Sequence, residues 1–84
     1  MNGENTYMED NEILYTVQEA AKLLKIGRNK VYDLLHAGLL PCMNLGGWKI
    51  RREAILRFLD IYENHDLSDL SNIHPISLDK IAPA

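Results

Sequence analysis

Between Thr16 and Pro41 the chain is written as two short helices with a three-residue joint, and that pattern leaves few folds open. Thr16 followed three residues later by Glu19 is a capping box, in which the hydroxyl accepts from the Glu19 amide and the carboxylate reaches back to the Thr16 amide. Val17, Ala20, Ala21 and Leu24 recur at i, i+3, i+4 and i+7, so one face of the first helix is apolar. Its two alanines let a second helix cross closely. The pattern pauses at Ile26 and Gly27, and a second helix is predicted from about Arg28 to Ala37, with Val31, Leu34 and Leu35 facing inward. Gly38 sits where a left-handed C-terminal residue is expected, and Pro41 blocks further helix.

The stretch "PCMNLGGWKI" reads as a β-hairpin with Gly46-Gly47 as its tight turn. Met43, Leu45, Trp48 and Ile50 would point inward, with Asn44 and Lys49 on the opposite face. A lone hairpin is marginal, so this one must lean on the helices. "RREAILRFLDIYEN" predicts a third helix, about Arg52 to Glu63, with Ile55, Phe58, Leu59 and Tyr62 on one face. The expected core is Val17, Ala20, Ala21, Leu24, Ile26, Val31, Leu34, Leu35, Leu39, Leu45, Ile50, Ile55, Phe58 and Leu59. The organisation predicted is a flexible acidic leader over 1–12, one domain over 13–63, and a flexible or loosely docked tail over 64–84.

The formal net charge of −3 conceals a sharp division. Residues 1–14 carry four acids and no Lys or Arg, residues 15–62 carry eight bases against four acids, and residues 63–84 carry four acids and one base. A basic middle between two acidic ends is the informative pattern, which the net charge averages away. The single cysteine, Cys42, fits a reducing compartment and is expected to be a small buried hydrophobe. It and the three histidines show no zinc spacing. No apolar run approaches a bilayer span, and the start resembles neither a signal nor a transit peptide, so a soluble cytoplasmic protein is expected. No Ser-His-Asp or Cys-His spacing and no phosphate-binding loop is present. The expectation is a non-enzyme with no cofactor and no metal.

Counting from Val17, the fifth residue is Ala21, the tenth Ile26, the fifteenth Val31 and the eighteenth Leu34. These positions suit a helix-turn-helix, which needs a small residue at the crossing and apolar residues to lock the second helix. Lys25 departs, standing where glycine is common, so a differently shaped turn is expected. The order "TVQEAAKLLKIGRNKVYDLLHAGLLP", "LGGWKI", "RREAILRFL" resembles the excisionase-type DNA-binding domains, small winged helix-turn-helix proteins related to the mercury-resistance regulators. The resemblance covers about residues 13–60. It implies a mainly α fold with a small β-hairpin wing, the second helix in the major groove and the wing at a neighbouring groove or the backbone. It further implies an architectural factor that bends DNA at the ends of mobile elements and directs an integrase toward excision. Related domains serve as transcription regulators.

The residues themselves suggest how duplex DNA would be met. The outer face of the second helix offers Arg28, Asn29, Tyr32, Asp33 and His36, with Lys30 at its edge. The first three residues of that helix also stand at a positive dipole end that favours phosphate. Arg28 could read guanine and Asn29 adenine. Tyr32 could bond a phosphate or pack at the domain edge, and His36 could contact backbone or stay solvated. Asp33 could accept from cytosine N4 or pair with Arg28, Asn29 or Lys30 and aim it. On the wing, Lys49 is the best phosphate contact, Gly47 leaves the tip open to phosphate, and Trp48 is expected to pack. Arg51 and Arg52 add positive potential or form a solvated pair, and the Thr16 cap could also receive a phosphate. No heptad extension follows the third helix, so a monomer in solution, cooperative on DNA, is expected. Besides excision and transcription regulation, a third reading is a protein-interaction adaptor using Leu67, Leu70, Ile73 and Ile76 of the tail.

Overall fold

A computed structural model describes residues 12–77. The leader expected over 1–12 therefore lies, except for Glu12, outside the described residues. The chain runs β1 (Leu14–Thr16), α1 (Val17–Leu24), α2 (Arg28–His36), β2 (Met43–Asn44), β3 (Trp48–Arg51), α3 (Arg52–Tyr62), β4 (His65–Asp66) and β5 (His74–Pro75). The first six elements make a mainly α fold with a small antiparallel sheet in the order β1-β3-β2, a winged helix-turn-helix. No helix among the described residues is long and apolar enough to cross a membrane.

The capping box forms at the start of α1: Thr16 Oγ1 accepts from the Glu19 amide at 3.1 Å, and Glu19 Oε1 accepts from the Thr16 amide at 2.9 Å. Helix α1 ends in a Schellman closure, with the Ile26 amide on the Ala21 carbonyl at 3.0 Å and the Lys25 amide on the Lys22 carbonyl at 3.2 Å. Lys25 stands left-handed, at φ 59°, ψ 42°. The turn thus keeps the shape that glycine would give it, contrary to the expectation of another shape. A non-glycine residue adopts that conformation at a cost of about 1–2 kcal/mol. The closure turns half-buried Ile26 back against the core. Helix α2 ends the same way, with Leu39 bonded to Leu34, Gly38 to Leu35, and Gly38 at φ 77°.

Tyr15, Val17, Ala20, Ala21, Val31, Leu34, Leu40, Ile50, Ala54, Ile55 and Phe58 form the buried core, with Leu24, Ile26, Leu35 and Leu39 partly buried against it. Tyr15, Leu40 and Ala54 are additions to the predicted core. Tyr15 belongs to a strand the sequence pattern did not reveal: β1 pairs antiparallel with β3, placing Tyr15 opposite Ile50 on the core side. Two predicted core residues face solvent. Leu59 is half-exposed because the inner face of α3 is centred on Ala54, Ile55 and Phe58, and it lines an open groove with Leu23 and Leu56. Leu45 is 59% exposed because the hairpin register differs by one residue from the predicted one. Asn44 pairs with Trp48 and Met43 with Lys49, so Leu45, Gly46 and Gly47 form a three-residue loop. A slip of one residue moves each side chain to the other face. On the first arm the slip sets Met43 beside Lys49, away from the core, and it is exposed; Trp48 keeps the face of Ile50 but stands next to the loop and is also exposed, as is Cys42, which is not the buried hydrophobe expected.

Of the two forms expected for the tail, flexible or loosely docked, residues 64–77 take the docked one and add a strand pair that was not predicted; residues 78–84 lie outside the described residues. Asn64 turns left-handed after α3, at φ 69°, and its carbonyl accepts from the Ile76 amide at 2.8 Å. Strands β4 and β5 pair antiparallel, and Leu67 and Leu70 pack against the core. Tyr62 links the two parts, tilted on Phe58 at 5.2 Å and edge-on to His65 at 5.9 Å.

Candidate nucleic-acid interface

The two helix starts differ electrostatically. The N-terminus of α1 is closed, since the Thr16 amide and hydroxyl oxygen are both committed to Glu19, whose carboxylate stands where a phosphate would come. Thr16 keeps only its hydroxyl proton for another partner. Helix α2 begins at Gly27, which supplies no capping side chain, and there is no acid in its first turn. Its positive end is therefore left for an external anion.

Arg28, Asn29, Tyr32, Asp33 and His36 are all exposed on α2, opposite Val31 and Leu34. At 100° per residue these five cover one continuous face. None of the five side chains has a hydrogen-bond or ion-pair partner among the described residues. The suggested pairing of Asp33 with Arg28, Asn29 or Lys30 is not formed. Tyr32 is 38% exposed, so most of its surface is covered while part of the ring stays open to a partner.

Lys30 is the predicted contact whose place differs most. It is half-buried, and its Nζ donates to the Leu67 carbonyl at 2.8 Å. Periodicity placed it at the edge of the outer face; the folded tail on that edge claims it. Asp33, His36 and Ala37 line a cleft with Ser68–Ser71 next to it.

On the wing, Lys49 sits between two strands, opposite Thr16 on β1 and Met43 on β2. Thr16 and Lys49, far apart in sequence, are thus brought side by side. The Lys49 ammonium curls over the hairpin tip, where a Cβ on Gly47 would lie 3.3 Å from it. The Gly47 amide donates to Asn44 Oδ1 at 3.0 Å, so that amide is not open to phosphate as expected. Arg51, at the start of α3, pairs with Glu53 at 3.3 Å on the surface, a contact of about 0–1 kcal/mol that leaves the guanidinium able to change partner. No group of His, Cys, Asp and Glu among the described residues could hold a metal ion.

A family model described as "Helix-turn-helix domain" matches residues 14–60. The chain belongs to that DNA-binding family. The match spans β1 through most of α3, the segment that carries Ala21, Ile26, Val31 and Leu34 in helix-turn-helix register. No curated protein and no solved structure matches the chain.

Sequence reasoning missed β1 and the strand pair of the tail. The aromatic and β-branched run at Tyr15-Thr16 was a signal for the first. The tandem Asp66-Leu67-Ser68 and Asp69-Leu70-Ser71 was a signal for the second. In each copy the Asp Oδ1 accepts from both the amide and the hydroxyl of the Ser two residues on, at 2.6–3.0 Å.

Proposed function

We propose that this helix-turn-helix domain binds double-stranded DNA sequence-specifically, as an excisionase-like architectural factor. In that role it would bend the duplex at the ends of a mobile element and direct an integrase toward excision. The observation that carries the reading is the unpartnered face of α2: Arg28, Asn29, Tyr32 and His36 project from a helix whose N-terminus has neither a capping side chain nor an acid. Arg28 matches guanine O6 and N7 and Asn29 matches adenine N6 and N7 in the major groove. Lys49 at the wing supplies a phosphate contact. The excisionase-type order of "TVQEAAKLL", "VYDLLHAGLLP" and "GGWKIRREAI" supports the finer role. The domain contributes DNA geometry and no chemistry, without metal or cofactor. It acts as a monomer in solution that binds cooperatively on DNA.

An electrophoretic shift with duplexes from the ends of a neighbouring mobile element tests this, read with circularly permuted probes for bending. Affinity should fall steeply with salt, and Arg28→Ala should cost about 1–3 kcal/mol on the cognate site alone. Salt-insensitive binding, or none, refutes the reading. Binding without bending, beside an operon instead of an integrase gene, would favour the transcription regulator. The adaptor reading loses two of its four contacts, because Leu67 and Leu70 pack against the domain's own core.

A further inference from the structure

The folded tail lies along one edge of the α2 face that the proposed function assigns to DNA. Its loop brings Ser68–Ser71 against Lys30, Asp33, His36 and Ala37, across a cleft of about 530 Å³. Three features hold it there. Leu67 and Leu70 pack on the core, His65 meets the Tyr62 ring edge-on, and Lys30 Nζ donates to the Leu67 carbonyl. The contact is polar and specific at its centre, and it uses the one first-turn base of α2 that does not face outward.

The segment carries Asp66 and Asp69 and no Lys or Arg, and it meets α2 on the flank that holds Asp33 as well as Lys30. Asp66 and Asp69 are fixed by their turns, each accepting two hydrogen bonds through Oδ1, and the Oδ2 of Asp66 lies 3.9 Å from Nε2 of His74 on the paired strand. Those bonds, chiefly the serine hydroxyls and then the serine amides, hold both carboxyls below the ordinary value of 3.8 against a smaller opposing effect of burial, with His74 at Asp66 and Lys30 at both adding smaller pulls in the same direction. Both are ionised wherever DNA binding would be measured. With Asp33 they make one flank of α2 negative, while Arg28, on the other flank, is unopposed.

We propose that residues 64–77 are a second, acidic wing, pinned to α2 by Lys30, which repels the DNA backbone from the Asp33 flank and so restricts the register in which α2 can enter the groove. This rests on the DNA-binding reading above. Lys30 is then a positioning residue, and the acidic wing a specificity device: it lowers affinity for any duplex and lowers it most for misaligned ones, in which phosphate would crowd Asp66 and Asp69. Repulsion that penalises wrong arrangements is a general route to discrimination.

The test uses the full chain with cognate and scrambled duplexes over a range of salt. Asp66→Asn with Asp69→Asn keeps both acceptor oxygens, and hence both turns, while removing two charges; a thermal melt checks the fold. Binding to the scrambled duplex should tighten about three- to tenfold at low salt, with a smaller gain on the cognate one, so that the specificity ratio falls. Lys30→Met should lower the same ratio without changing the salt slope, and Lys30→Arg, which restores a donor, should recover it. A slope reduced by about one in Lys30→Met, with the ratio intact, would make Lys30 an ordinary phosphate contact and overturn the proposal. Unchanged affinities in the Asp66→Asn, Asp69→Asn protein would overturn it too, while leaving DNA binding in place. Failure of every form to bind any duplex would refute DNA binding itself, and the acidic wing with it.

Discussion

The described residues contain two small hairpins that solve the same problem in opposite ways. Strands β2 and β3 are joined by a glycine loop with its apolar residues turned out: Leu45 and Trp48 are 59% and 45% exposed. That hairpin is held from behind, by β1 pairing with β3 and by Ile50 sealed in the core. Strands β4 and β5 have no third strand among the described residues, and their loop is held from within by Leu67 and Leu70, by two aspartate turns and by the Lys30 bond. One presents a lysine at its tip and the other two carboxylates. Extending a sheet frees the tip for a partner, whereas docking a loop by its side chains commits the loop to the domain's own surface.

If that contrast holds, the largest effect comes from the residue that anchors the first hairpin. Ile50→Ala empties a fully buried site and should cost about 2–5 kcal/mol, enough to melt a domain of this size or leave it marginal. Leu70→Ala, half-buried, should cost roughly 1 kcal/mol and leave the unfolding of the helices cooperative. Paired thermal melts decide it. Equal losses would mean that the second hairpin is as integral to the core as the first.

The hairpins also differ in how far the sequence reveals them. Gly46-Gly47 announces the first, but the dipeptide alone does not set the register. Asn44 does, by accepting from the Gly47 amide, and so the predicted two-residue turn becomes a three-residue loop with Leu45 outside. The second has no glycine, and its two leucines lie three apart among polar residues, a spacing that fits neither a strand nor a sustained helix. Its fold depends on partners distant in sequence, Lys30 lying 37 residues before Leu67. The helix-turn-helix was legible because its determinants are local: the capping box, Ala21 and Ile26 all act within a few turns. The exposed face of α2 followed from the same periodicity. The fate of Lys30 did not, because periodicity gives direction and not neighbours. Lys25 shows the limit from another side, since it stands left-handed for the sake of seating Ile26, a tertiary demand that propensity does not record.

The tips allow the next comparison. Gly47 has φ 153°, and an added Cβ would meet the Lys49 ammonium at 3.3 Å. Gly47→Ala should therefore cost about 1–3 kcal/mol of backbone strain and displace the lysine. Asp69→Ala removes an acceptor from the Ser71 amide and hydroxyl, yet the melting of the core should not move; only faster amide exchange at Ser71 should report it. A core melt lowered by Asp69→Ala would show that the second hairpin depends on its turns more than on its leucines.

Charge gives a smaller effect, read in binding. Lys49→Ala should reduce the magnitude of the salt slope of duplex affinity by about one, with little change in sequence preference, as loss of a single phosphate contact does. The two carboxylates of the second hairpin should act the other way, and a Lys49 substitution that left the slope unchanged would remove the first wing from the interface.

The smallest expected effect is one of acid. Because Asp66 and Asp69 are held below 3.8 in the folded chain by their serine hydrogen bonds, ionisation favours the folded loop. A depressed carboxyl contributes stability that is complete above its unfolded value and is lost as pH falls through its folded one. Between neutral pH and about 5 the serine bonds to both carboxylates should therefore be constant; below 3.8 the amides of Ser68 and Ser71 should exchange faster while those of β3 stay protected. Both groups are solvated, so the whole-domain melt should register little of this. The wing contains no carboxylate in its ladder or loop, since residues 43–51 have none, and its amides provide the internal control. Simultaneous loss of protection in β3 and in the Ser68–Ser71 loop would show that acid acts on the domain as a whole, and the distinction between a hairpin held by its sheet and one held by its side chains would fail.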